Sequence, residues 1–162
     1  MAIEYLEDLM RWRAERDHFF KEHYASPLPD EIIEIFTGLD YFEVDESLVF
    51  EAVISASAAE TITIDSSTGS ASEYPFAGVV EIPFPGGPVA LVALRGEEDE
   101  AFIPFRDRTC GKESYGGGRY VSIEIGDNGS CTVDFNKAIN PYCVYDAEFS
   151  CPLPPTQTTS NP

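Results

Sequence analysis

Four basic side chains, Arg106, Arg108, Lys112 and Arg119, surround Gly111 and the run Gly116-Gly117-Gly118 in a chain otherwise dominated by acids. Glycines let backbone N–H groups approach an anion, and a guanidinium fork matches a carboxylate or phosphate. The loop therefore reads as a candidate anion site, with Tyr115 and Gly117 inside it. It has neither the P-loop lysine pattern nor the dinucleotide-binding glycine fingerprint. A structural alternative stands beside this reading. Arg106 and Arg119 would pair with Asp107, Glu113 or Asp134, and the glycines would serve a tight entry into a strand.

Asp134 and Asn136 alternate with Val133 and Phe135, so a continuous strand would turn the two polar side chains away from the apolar pair. Lining a barrel mouth, they would orient a ligand together with Tyr120. Otherwise they stabilise a turn by bonding nearby backbone, which is the favoured reading. Asn140 and Tyr142 follow closely and complete the candidate ligand contacts. Asn140-Pro141-Tyr142-Cys143 and Cys151-Pro152 bracket a loop with two thiols. A thiolate nucleophile needs a base or a positive neighbour. The only histidines, His18 and His23, lie far away on an N-terminal helix. Free buried thiols are the default, with a Cys143–Cys151 disulfide as the alternative. The spacing of Cys110, Cys131, Cys143 and Cys151 lacks the close pairs of common zinc sites, so no metal site is expected. A nucleophile elbow is missing and no flavin or haem motif is present, so no cofactor is expected either. The acids are too numerous for any two to be read as an acid–base couple.

The charge constrains habitat and partners. The 162 residues carry 29 acids against 10 bases, a formal net charge of -19. Lysine is confined to Lys21, Lys112 and Lys137, and no Lys or Arg lies between Glu22 and Leu94. Such self-repulsion opposes compaction in dilute buffer. At molar salt the Debye length falls to about 3 Å and the penalty largely disappears. The composition suits a halophilic archaeal cytosol. A polyanion would meet the wrong field, so nucleic acid is not an expected partner. The acidic N-terminus has no apolar signal core, and no stretch approaches the roughly 20 apolar residues of a membrane span. The expected location is the cytoplasm, where thiols stay reduced.

These residues must be positioned by a mainly β (α+β) fold. Leu6, Leu9, Met10, Trp12, Phe19 and Phe20 recur at roughly helical spacing and predict a helix over 3–24. Ser26-Pro27-Leu28-Pro29 ends it. Pro29-Asp30-Glu31 opens a short second helix carrying Ile32, Ile33, Ile35 and Phe36, with Gly38 as its stop. From Tyr41 the period is two. Strands are expected at 48–57, 60–65, 76–84, 88–95, 101–105, 118–125 and 130–136, separated by Gly, Pro, Asp and Ser turns. Asp127-Asn128-Gly129 is the clearest hairpin signal, with Val121, Ile123 and Ile125 facing Val133 and Phe135. The unbroken apolar run from Val89 to Leu94 predicts a strand covered on both faces. Short connections imply an antiparallel meander, forming a barrel or a sandwich. Closure removes edges and so favours a barrel, partly covered by the N-terminal helix. One domain is expected over 1–155: helical to 38, β-rich over 39–136, and a Pro/Cys-rich loop over 137–155. A flexible tail is expected over 156–162.

The chain resembles the uncharacterised family called domain of unknown function 1684. The resemblance rests on Trp12-Arg13, Arg16-Asp17, Phe19-Phe20, Ser26-Pro27-Leu28 and the Phe36, Gly38-Leu39, Tyr41-Phe42 segment. It continues through Phe105, Asp107, Thr109 and Gly111, Tyr115 to Tyr120, Asp134-Phe135-Asn136, Asn140 to Cys143 and Cys151 to Pro155. Cys110 and Cys131 lie outside it. Members usually continue past the proline run with a Glu-Asn pair and a last strand, where this chain has a Thr/Ser tail. The resemblance implies no activity.

The leading expectation is a β domain binding a small anionic or polar ligand near 106–119 and 134–143. One alternative is an enzyme acting on a phosphate- or carboxylate-bearing metabolite, with Arg106, Lys112 and Arg119 as clamps. The other is a structural or partner-binding module. The sequence does not assign an oligomeric state.

The charge makes one prediction. Folding followed by circular dichroism should be incomplete at low KCl and complete at molar KCl, with a rising melting temperature. An unchanged melting temperature across the titration would refute it.

Overall fold

The computed structural model describes residues 2–155. The tail expected over 156–162 lies outside the described residues. Helix α1 spans Ile3–Glu22 and α2 spans Asp30–Ile35. Seven strands follow: β1 Val49–Ala56, β2 Thr61–Asp65, β3 Ala71–Ile82, β4 Val89–Arg95, β5 Glu100–Phe105, β6 Arg119–Glu124 and β7 Ser130–Asp134. All pair antiparallel in one nearly closed, barrel-like sheet ordered β6-β5-β4-β3-β1-β7, with β2 paired to β3.

The termini of α1 follow local chemistry. The helix stops at Glu22, two residues before its expected end, because Ser26 donates its hydroxyl to the Phe20 carbonyl at 2.7 Å and closes the last turn. Lys21 donates to the Ile33 carbonyl and so joins α2 to α1. The apolar residues of α2 do not all find cover. Ile33 and Phe36 are half-buried, but Ile35 is 74% exposed, since so short a helix buries one face only.

The β3 strand departs from expectation most. It begins at Ala71 rather than 76, because the preceding turn is tight, with the Ser66 N–H on the Ser70 carbonyl at 3.0 Å. Its first half pairs with β2 (Thr63 opposite Glu73) and its second with β1 (Ser55 opposite Val79). Pro75 is tolerated beside an irregularity between Phe76 and Gly78, where the β4 register shifts. Gly78 has φ 148°, and a Cβ there would meet the Ser55 carbonyl oxygen at 2.2 Å. Only glycine lets β1 come this close.

The Asp127–Gly129 turn forms, with the Gly126 N–H on the Ser130 carbonyl at 2.9 Å, but it does not produce the expected hairpin ladder. Strand β7 pairs with β1 instead, Val49 opposite Asp134 and Val53 opposite Ser130. The β6–β7 seam is filled by side chains, Val121 and Ile123 from one strand and Cys131 and Val133 from the other. Below it, Tyr120 and Ile139 exchange backbone hydrogen bonds of 2.8 Å in both directions.

Strand β4 is covered on both faces. Leu91 and Ala93 enter the barrel core with Val80, Ile82 and Ile103, while Val92 and Leu94 pack outward against Ile64, Tyr74 and Phe76. One end of the barrel is plugged by rings: Phe50 on Phe84 at 4.8 Å, Phe84 on Phe135 at 5.8 Å, and Phe135 on Phe105 at 5.0 Å. Above this plug lie α1 and the segment 36–48.

A polar clasp holds them there. Strand β7 ends at Asp134 and the chain turns into a 3₁₀ helix, Phe135–Lys137, so the expected alternation through Asn136 breaks. Asp134 accepts from the Asn136 N–H at 2.9 Å and from the Tyr5 hydroxyl of α1 at 2.8 Å. The Asn136 carboxamide accepts from the Asp45 N–H and donates to the Asp45 carbonyl, both at 2.9 Å. It also donates to the Tyr5 oxygen at 3.1 Å. Both residues are buried.

Burial, followed by the hydrogen bond to Asp134, pushes the Tyr5 hydroxyl up from 10.0 to about 12. The folded chain holds this proton more tightly than the unfolded chain. The stabilisation is therefore intact below pH 10 and lost as pH rises through about 12. Tyr5→Phe should lower stability at neutral pH by on the order of 1 kcal/mol and flatten part of the alkaline loss. Denaturant titrations at fixed molar KCl would check this, and identical pH slopes for the two proteins would contradict it.

Candidate functional site

Between the clasped segment and the barrel end lies a cleft of about 1170 Å³. Its walls come from α1, residues 36–48, the loop 107–119 and residues 135–145.

The loop is built around Asp107. One carboxylate oxygen accepts from the Thr109 N–H at 3.0 Å and its hydroxyl at 2.5 Å. Thr109 and Ser114 share a hydroxyl bond of 2.8 Å, and the Thr109 carbonyl accepts from the N–H groups of Lys112, Glu113 and Ser114 at 2.9 to 3.0 Å. The other Asp107 oxygen takes Arg119 Nη2 at 2.7 Å, with the two side chains only 13% and 11% exposed. The Arg119 guanidinium also sits 5.2 Å from the ring centres of both Phe42 and Phe105. Gly118 (φ 92°) is required by approach: a Cβ would lie 2.6 Å from the Phe105 carbonyl oxygen.

The structure separates the residues that the sequence grouped. Lys112, Tyr115, Arg119, Asn136 and Asn140 line the cleft, whereas Arg106, Gly117, Asp134 and Tyr142 do not. Arg106 donates to the Pro154 carbonyl at 3.0 Å and pins the proline run. Gly117 lies against the Tyr115 ring, which a Cβ would meet at 2.4 Å. Tyr142 packs edge-on against Phe20 and Phe149. Asn140 donates to the Tyr145 hydroxyl at 3.4 Å. Tyr120 donates to the Pro152 carbonyl at 2.5 Å, and burial raises its hydroxyl well above the usual range.

The four cysteines are free thiols, so the Cys143–Cys151 disulfide is not formed. Cys151 is buried and its thiol is raised by that burial. Cys143 is half-buried, 3.7 Å from the Tyr115 hydroxyl, whose proton that contact and burial hold more firmly. His23 stacks between Phe19 and Tyr24 and accepts the Ala25 N–H, while His18 is exposed. Among the described residues, no three His, Cys, Asp or Glu side chains gather as a metal site would need.

Sequence reasoning missed the contribution of α1. Arg13 and Arg16, three apart on one helix face, also line the cleft. Arg13 lies over the Tyr41 ring at 4.7 Å and donates to the carbonyls of Phe42 and Asn136 at 3.2 and 3.4 Å. Its Nε is buried without a hydrogen-bond partner among the described residues. Arg16 donates to the Tyr41 hydroxyl at 3.5 Å and lies over the rings of Trp12 and Phe20. The signal was present: both arginines stand in the Trp12-to-Asp17 motif, but nothing local told where that face would dock.

Half of the chain's 10 basic residues thus border one cleft: Arg13, Arg16, Arg108, Lys112 and Arg119. Of these, only Arg119 makes an ion pair among the described residues. Acids also border it, with Asp40, Glu43 and Glu113 exposed.

The model for proteins of unknown function DUF1684 matches residues 34–160. The chain belongs to this DUF1684 family. A similar solved structure is that of an uncharacterised protein of Haloarcula marismortui, determined in solution by NMR. It is 35% identical, with a TM-score of 0.74, over 96% of this chain and 89% of that one. No curated protein matches. The family match begins past α1, so Arg13 and Arg16 lie outside it. No helix of the described residues is long and apolar enough to cross a membrane.

The geometry of Arg119 predicts its chemistry. Arg119→Lys keeps the charge but loses the planar group held between two rings and a carboxylate. It should destabilise the fold by about 1–3 kcal/mol. Thermal melts at molar KCl would check this, and a stability equal to wild type would show that the pair is dispensable.

Proposed function

We propose that this DUF1684 chain binds a small anionic or polar ligand in the cleft between α1 and the 107–119 loop. One observation carries the reading. Arg13, Arg16, Arg108 and Lys112 border a concave site without an ion-pair partner among the described residues, in a chain with 29 acids. Acids in such excess would readily neutralise these cations if the site had only to be stable. A preformed concave site with a few convergent polar groups is what small-molecule binding needs.

The geometry does not favour an enzyme clamped by Arg106, Lys112 and Arg119. Arg106 is held by Pro154 and Arg119 by Asp107, which leaves only Lys112 of the three. The structural reading does apply to individual residues. Arg106, Arg119, Asp134 and Asn136 hold the fold, while the binding role falls to the other cations. The net charge and the likeness to a Haloarcula protein support a salt-rich archaeal cytoplasm as the setting.

Melting temperatures at fixed molar KCl, with acetate, inorganic phosphate and larger carboxylates added, test the proposal. A ligand at a hundred times its Kd should stabilise by about 2.7 kcal/mol. The double variant Arg108→Gln, Lys112→Gln, both positions exposed, should melt like wild type and lose the response. Absence of a response to any anion in the wild type would overturn the reading.

A further inference from the structure

We infer that the ligand is an amphipathic monocarboxylate, a single carboxylate on an apolar body of acyl or aryl type. The inference rests on the anion-binding reading above and adds the ligand's chemical class.

Size is the first argument. A cleft of about 1170 Å³ lies just above the roughly 300–1,000 Å³ of pockets that hold drug-sized ligands, and is far larger than an inorganic anion requires. The lining is the second. Phe36, Leu39, Phe42, Leu48, Phe135 and Ile139 all border it. Phe42 remains 44% exposed although one ring contact is taken by Arg119, and Val144 on the same lining is 37% exposed. A ligand without an apolar part would leave this surface wet.

The head group follows from which donors are uncommitted. Arg119 is held by Asp107, and Arg13 directs Nη2 to the carbonyls of Phe42 and Asn136, with its buried Nε unpartnered among the described residues. Arg16 makes one long bond to Tyr41, and among the described residues Arg108 and Lys112 make no hydrogen bond from their side chains. These three border the cleft and are available to a carboxylate. A second negative charge would meet Asp40, Glu43 and Glu113 on the same lining. A phosphate monoester carries about -1.5 to -2 at neutral pH and is disfavoured on that ground. At molar salt, exposed charges are screened beyond about 3 Å, so this charge discrimination acts only at contact and the apolar body must supply most of the affinity.

The test is calorimetric titration of the full chain at fixed molar KCl with acetate, butanoate, hexanoate and octanoate, and with octanol and octyl phosphate. Affinity should rise about fourfold per added methylene until the cleft is filled. Octanoate should bind at least tenfold more tightly than octanol or octyl phosphate. Lys112→Gln should weaken octanoate and leave octanol unchanged. Val144→Asn, at an exposed position, should weaken octanoate more than acetate. Anion binding that does not depend on chain length, or octyl phosphate binding as tightly as octanoate, would overturn the monocarboxylate and leave the anion site standing. No binding by any of the anions would overturn both.

Discussion

The pair of hydrogen bonds between the Asn136 carboxamide and the Asp45 backbone is the contact on which the cleft depends. A primary amide presents one donor and one acceptor side by side, as a peptide group does. Here it closes a two-bond bridge with one residue of another segment, much as a neighbouring strand would. Asp134 orients that amide through the Asn136 N–H and draws Tyr5 to the same point. Helix α1, the 36–48 segment and the end of β7 therefore meet at one buried polar node. Each member satisfies the others, so the node avoids the penalty of unpaired buried polar groups. Together with the Arg119 guanidinium against Phe42, it holds the upper wall of the cleft over the plug of Phe84, Phe105 and Phe135.

A second constraint is charge. With 29 acids and 10 bases, the chain has few cations to place. It spends Arg119 on Asp107 between two rings, where the planar guanidinium serves both as an ion-pair partner and as packing. It spends Arg106 on the proline run. What remains around the cleft is a local balance of charge in a strongly negative molecule. That is the physical content of the binding proposal, and why it concerns Arg13, Arg16, Arg108 and Lys112 rather than the more conspicuous Arg119.

The glycine run illustrates how a site-like pattern serves the fold. Gly117 gives way to the Tyr115 ring, and Gly118 lets the strand entry pass the Phe105 carbonyl and Pro154. Neither lines the cleft. The thiols of Cys143 and Cys151 likewise lie near Tyr115 and Tyr120, where burial raises Cys151 and, among the described residues, neither histidine bonds a thiol.

Periodicity and turn chemistry are local, and so the sequence alone determined the helix that ends before Pro27, the seven strands nearly in place, the two-faced burial of β4 and the mainly antiparallel β class. The net charge and the family pattern were equally legible, since both are sums or strings of residues. Partner choice was not. That β7 pairs with β1 across the Asp127–Gly129 turn, that β3 serves both β1 and β2, and that Arg119 takes Asp107 rather than Asp134 depend on which distant segments meet. The same holds for Arg13 and Arg16, whose helical spacing showed that they share a face but not what that face would cover. The strand pattern placed Asn136 on the wrong element, because the chain leaves its ladder at Asp134 to make a turn that only the docked Asp45 segment rewards. Local rules set each element's period, and long-range hydrogen bonds and burial decided what those elements enclose.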